Sequence, residues 1–141
     1  MMKKETKEAL IKSAASIYKM FPMVLGVIML ISLANAIIPK AFYTSFFRGN
    51  YVLDSFLGSA LGSILAGHPI TSYIIGGELL EQGVSLMAVT AFLVTWITVG
   101  LIQLPAESTS LGKKFAITRN ITAFLFSILV AIITVAILGV L

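Results

Sequence analysis

The 141-residue chain contains no cysteine, which excludes disulfides, thiolate metal sites and cysteine nucleophiles. Its single histidine, His68, is too little for a histidine-rich metal centre. Charge is scarce: Asp, Glu, Lys and Arg make up 11% of residues against a hydrophobic share of 58%, far from the soluble-domain range. With a mean hydropathy of +1.02, the composition implies an integral membrane protein. The ten basic residues outnumber the six acidic ones, yet they flank apolar runs and form no stripe, so they report membrane orientation and not nucleic-acid binding. Enzyme signatures are missing as well. No GxSxG, HExxH, Walker-type GxxxxGK(S/T) or dinucleotide fingerprint occurs, so no catalytic residue, metal or cofactor is expected.

What remains is apolar and falls into units. Residues 1–19 carry Lys3, Lys4, Lys7, Lys12 and Lys19, with Leu10, Ala14, Ile17 and Tyr18 at helical spacing. This predicts an amphipathic helix lying in the membrane interface. Residues 20–38 are apolar over close to the roughly 20 positions needed to cross about 30 Å of hydrocarbon, and Pro39-Lys40 closes that span. A basic start followed by Ala34-Asn35-Ala36 also fits a secretory signal peptide. The apolar stretch continues through that cut, so a retained span is the expectation. Residues 84–104 and 120–141 give two further spans. The expected fold is therefore all-α, in one transmembrane domain over 1–141. It has three full transmembrane helices plus one broken or re-entrant helical hairpin over 51–82, the alternative being four spans.

The interrupted unit carries the chemistry. Its apolar run is broken by Gly67-His68-Pro69 and ends in Gly76-Gly77-Glu78. In lipid every backbone N–H and C=O needs an internal partner, so a break at membrane depth is tolerated only where protein or trapped water supplies one. Transporters place such breaks at their binding sites. The expected substrate pathway is His68, Pro69, Thr71, Ser72, Gly76, Gly77 and Glu78. To these are added Trp96, away from the interfacial belt where tryptophan is enriched, and the polar points Gln103, Pro105 and Glu107. Each has a plainer reading: His68 as a break residue bonded to freed backbone groups, Trp96 as core, the acids as solvated helix ends. If the unit is re-entrant, the start of residues 70–82 points into the membrane with free N–H groups and suits an anion.

Small residues recur every fourth position as Gly58, Gly62 and Ala66, as Ser55, Ser59, Ser63 and Gly67, and as Ala123, Ser127 and Ala131. Such rows let helix backbones approach closely in lipid. Charge arbitrates the topology. A re-entrant unit puts the five N-terminal lysines with Lys113, Lys114 and Arg119, eight against Lys40 and Arg48. A full span gives five against five and no orientation. The re-entrant case places the N-terminus in the cytoplasm and the two termini on opposite sides of the inner (plasma) membrane, so a fused duplicate would be an inverted repeat.

The run GELLEQGVSLMAVTAFLVTWITVGLIQLPAE, Gly77 to Glu107, with LGKKFAITRN after it, resembles one half of the bacterial and archaeal predicted permeases that include the ArsP-like organoarsenical efflux permeases. The matching elements are a broken helix, then Leu79, Leu80, Gly83 and Ser85, then Met87, Ala88, Ala91, Phe92 and Leu93 opening a span. The resemblance covers roughly residues 55–125. It implies a half-size prokaryotic permease that pairs, as a homodimer or with a sister half, to move a small solute by secondary transport. Where some relatives carry cysteines at the break, this chain has Gly67-His68-Pro69-Ile70-Thr71-Ser72, so a soft trivalent arsenical is not implied. The competing class is a non-transporting assembly or regulatory subunit whose breaks only shape its packing.

Overall fold

The computed structural model describes residues 2–65 and 67–140. Among the described residues there are seven helices and no strand: α1 (Met2–Ile37), α2 (Lys40–Phe46), α3 (Tyr51–Ile64), α4 (Pro69–Glu81), α5 (Leu86–Thr98), α6 (Leu104–Leu111) and α7 (Lys113–Val140). The chain divides into two compact units, one ending at Ile37 and the other starting at Ile38.

The first unit is α1 alone. An interfacial helix over 1–19 and a separate span over 20–38 are expected from the charge pattern, but the backbone forms one unbroken helix of 36 residues, about 54 Å long at 1.5 Å per residue. The physical reason is that charge decides where a helix meets water, not where it stops. Lysine propagates a helix nearly as well as alanine, so Lys12 and Lys19 do not end it. Pro22 lies inside the helix, where it removes one backbone donor without breaking the run.

In the second unit each of three helices starts on a side-chain cap. Asn50 accepts from the Val52 and Leu53 amides, His68 from Ile70, and Ser85 from Ala88, which satisfies N–H groups that the first turn leaves without partners. Helix α4 stops in a Schellman turn: Gly83 adopts φ +90°, its N–H donates to Leu80 O at 3.0 Å, and Val84 N–H donates to Leu79 O at 2.9 Å. Leu79 packs against the core cluster of Val84, Ala88 and Val89, in keeping with the apolar contact that accompanies this turn.

Hydrogen bonds give the helix directions. The start of α3 meets the start of α5 through Asp54 and Ser85, and their ends meet where Leu101 N–H donates to Ser63 O, so the two run parallel. Helix α4 returns along α5, with Gly76 against Val89 and Leu93. Helix α7 runs opposite to α5, with Asn120 beside Gly100 and Ala131 in a core cluster with Met87 and Ala91. The α3–α5 crossing is the closest contact: a Cβ on Gly58 would lie 2.1 Å from Ala88 O, and one on Gly62 2.4 Å from Phe92 O. Ser55, Gly58, Ser59, Gly62 and Ser63 are all buried on this face. Ser127 and Ala131 are buried and Ala123 half-buried on α7, while Ala66 lies outside the described residues.

A continuous helix over the expected span 84–104 is not observed. Helix α5 covers 13 residues, about 20 Å, and the backbone leaves the helix over 99–103. The segment between the later spans is helical: α6 opens with Pro105 in its first turn and is closed by Gly112, φ +90°, a helix start and stop of the usual residue types. Among the described residues, two helices are long and apolar enough to cross a membrane, Thr6–Ile37 within α1 and Lys113–Gly139 within α7. The outer face of the second unit exposes Phe56, Leu61, Ile64, Ile97, Leu125 and Leu129, a pattern suited to lipid or a protein partner.

Candidate functional site: two helix breaks that meet

The break between α3 and α4 and the unwound segment 99–103 lie against each other. Leu101 N–H donates to Ser63 O at 3.3 Å, and the Trp96 indole N–H donates to Gly67 O at 3.3 Å. Gly67 sits on the indole so closely that a Cβ there would come within 3.1 Å of Trp96 Cζ2. Helix α7 supports the second break from the side. Gly100 N–H donates to Asn120 Oδ1 at 2.9 Å, and the Asn120 amide donates to Ala116 O at 2.9 Å and Glu107 Oε2 at 3.1 Å. The other Glu107 oxygen takes the Arg119 guanidinium at 2.6 Å. Side chains of α5 and α7 thus partner backbone groups that the interrupted helices leave free, as an apolar surrounding requires.

Between the breaks is a polar cavity of about 130 Å³ lined by Gly67, Pro69, Trp96, Gly100, Gln103 and Arg119 among others. On the other side of segment 99–103 is an apolar cavity of about 280 Å³, lined by Ser63, Leu101, Leu104, Asn120 and Phe124 among others. A buried hydroxyl cluster ties three helices together deeper in the bundle: Ser127 Oγ lies 3.0 Å from Ser59 Oγ and 3.1 Å from Thr95 Oγ1.

Of the residues expected in the pathway, Pro69, Trp96 and Gln103 reach the polar cavity, Pro105 opens α6, and Glu107 holds Arg119 and Asn120 beside it. Others are elsewhere. Gly76 is packed on α5, Gly77 faces open space and Glu78 accepts from Gln82 at 2.8 Å, all toward the far end of α4. Thr71 N–H donates to the His68 carbonyl, and the buried Ser72 hydroxyl donates to Pro69 O at 2.7 Å. The anion-binding helix end loses its first donors for the same reason: Pro69 has no N–H, and the Ile70 and Thr71 amides are both bonded to His68.

His68 is exposed and caps α4, its Nδ1 accepting from Ile70 N–H at 3.3 Å, so that nitrogen carries no proton in this arrangement. His68→Ala is expected to lower stability by about 1 kcal/mol and His68→Asn to restore most of it, measured by thermal unfolding in detergent. Unchanged melting in both variants would remove the capping role.

Asn120, Arg119, Asp54 and Ser85 were not singled out as site residues from sequence. Asn120 falls on one side of its helix with Ser127 and Thr134, a polar row in an apolar span, and Asp54 is an acid inside an apolar run; both signals were present. Comparison with protein-family models, curated proteins and solved structures finds no match for the chain.

Proposed function

We propose that the chain is a half-size membrane permease that pairs with a second half, its own copy or a sister chain, to form a pathway for a small solute. The observation that carries this reading is the meeting of two interrupted helices around a polar cavity at the surface of an apolar bundle, an arrangement that resembles the interrupted helices of secondary transporter sites. The helix directions support a re-entrant hairpin: α3 enters, breaks at Leu65–His68, and α4 returns to the side from which α3 and α5 both start. With that path, α1 and α7 cross as single helices, and α5, too short to cross alone, crosses together with the unwound segment 99–103. The five N-terminal lysines share a face with Lys113, Lys114 and Arg119, and the positive-inside rule places that face in the cytoplasm. A sister half in the opposite orientation completes an inverted repeat of the kind the resemblance to predicted permeases implies, whereas a copy of this chain, subject to the same charge bias, pairs in the same orientation.

The cysteine-free sequence makes this testable. A single cysteine at Glu8, exposed near one end, and another added after Leu141, beyond the span over 120–141, are expected to label from opposite sides of the membrane with an impermeant maleimide. Labelling from the same side sinks the three-crossing arrangement. A detergent-corrected mass of one chain sinks the pairing. The assembly-subunit reading draws on the saturation of the breaks by Asn120 and Trp96, and it predicts that substitutions lining the cavity alter assembly alone.

A further inference from the structure

We propose that Asp54 anchors a second site, one that binds a small alkali cation of the size of sodium. Asp54 lies in the first turn of α3 and is 1% exposed. Its Oδ2 accepts from Gly49 N–H at 3.2 Å and from the Ser85 hydroxyl at 3.0 Å, while Oδ1, equally enclosed, has no partner. Two neutral donors do not neutralise a carboxylate. Buried charges are paired or coordinate a metal ion, and among the described residues no Lys, Arg or His forms an ion pair with Asp54.

The surroundings select the ion. The bare carboxylate oxygen and the Ser85 hydroxyl are hard oxygen donors of the kind hard cations take as ligands, and two non-helical linkers, 47–50 and 82–85, converge on Asp54 through Gly49 and Ser85. Neither sulfur nor imidazole is among the groups that bond Asp54, which leaves out the softer transition metals. A single carboxylate suits a monovalent charge. Among the described residues no group of three or more His, Cys, Asp or Glu is poised for a metal of higher demand. Oδ1 is fully enclosed, which favours a small ion over a large one. A cation here ties the start of α3 to the start of α5, about 16 Å along α3 from its break, and so sits apart from the proposed pathway.

The test is thermal unfolding of the full chain in detergent, in sodium, potassium and choline chloride at one ionic strength. The wild type is expected to melt roughly 5 °C higher in sodium than in choline, with potassium close to choline. Asp54→Asn, which keeps an acceptor for Gly49 and Ser85, is expected to melt alike in all three salts, and Ser85→Ala to show a reduced sodium shift. Should Asp54→Asn fail to fold, Ser85→Ala carries the test. Equal melting of the wild type in the three salts overturns the site, as does a sodium shift that persists in Asp54→Asn. Melting that follows pH and ignores the salt cation assigns a proton to Oδ1 and also overturns it. These outcomes are independent of the labelling and mass measurements that test the permease reading.

Discussion

Gly58→Ala and Gly62→Ala are expected to be the most damaging methyl-sized changes in the chain, each costing about 3 kcal/mol or more of stability, at the upper end of overpacking penalties. The added Cβ at position 58 would sit 2.1 Å from Ala88 O, 2.8 Å from Ala88 C and 3.0 Å from Ala88 Cα. At position 62 it would sit 2.4 Å from Phe92 O and 3.1 Å from both Thr95 Cβ and Trp96 N. Nearly all of these neighbours are backbone atoms, which cannot rotate away, so α3 and α5 must move apart. In lipid the lost contact is not replaced by a hydrophobic gain, because helix association there rests on close packing. Gly77→Ala is the control. Nothing lies within 4 Å of a Cβ at that position, so the change should be neutral or stabilise by up to about 1 kcal/mol through helix propensity. Unfolding in denaturing detergent or by heat measures both. Equal behaviour of the three alanine variants would mean that the α3–α5 crossing does not hold the bundle together. Because the same crossing sets Ser63 against Leu101 and Gly67 against Trp96, its loss should also open the cavity between the breaks.

How far the sequence reveals this arrangement depends on which physical quantity each residue reports. The break at Gly67-His68-Pro69 is legible because proline fixes the start of a helix and the residue before it avoids the helical region. The small-residue rows are legible because their spacing is the helical repeat itself. The unwinding after Thr98 is not. Val99-Gly100-Leu101-Ile102 is as apolar as the helix before it, and hydropathy records affinity for lipid, not backbone conformation. The cue was Gly100 followed by Pro105, a stop and a start five residues apart. The same confusion separated residues 1–19 from α1, where lysines mark water without ending the helix, and it hid α6, whose residues are polar but open and close like any helix. At the candidate site, Trp96, Pro69 and Gln103 were within reach of sequence reasoning because each is polar, bulky or helix-breaking in an apolar run. Arg119 and Asn120 were not placed there, since only the antiparallel packing of α7 on α5 brings the start of one helix to the end of the other.

Asn120→Ala is expected to cost about 3 kcal/mol, more than Arg119→Met, although only the arginine carries a charge. Asn120 is buried and serves three groups at once: it accepts from Gly100 N–H and donates to Ala116 O and Glu107 Oε2. Alanine leaves the Gly100 amide without its acceptor, and each buried group deprived of a partner costs about 1–3 kcal/mol. The Arg119–Glu107 pair is short at 2.6 Å, but the arginine side chain is 41% exposed and the glutamate 17%. Solvent screens such a pair, and its removal should cost under about 1 kcal/mol. A double-mutant cycle isolates the link between the two: with Glu107→Gln in place, Asn120→Ala should cost less, because one of the three bonds has already been altered. Hydrogen exchange gives the local readout. In Asn120→Ala the amides of residues 99–103 should exchange faster while those of α3 stay protected, since the Gly58 and Gly62 contacts are untouched. Unchanged exchange across 99–103 would mean that the second break holds its shape without α7. The polar cavity would then be a property of the α3–α4–α5 hairpin alone, and α7 would owe its place in the bundle to the Ser59–Ser127–Thr95 hydroxyls and the Ala131 contact.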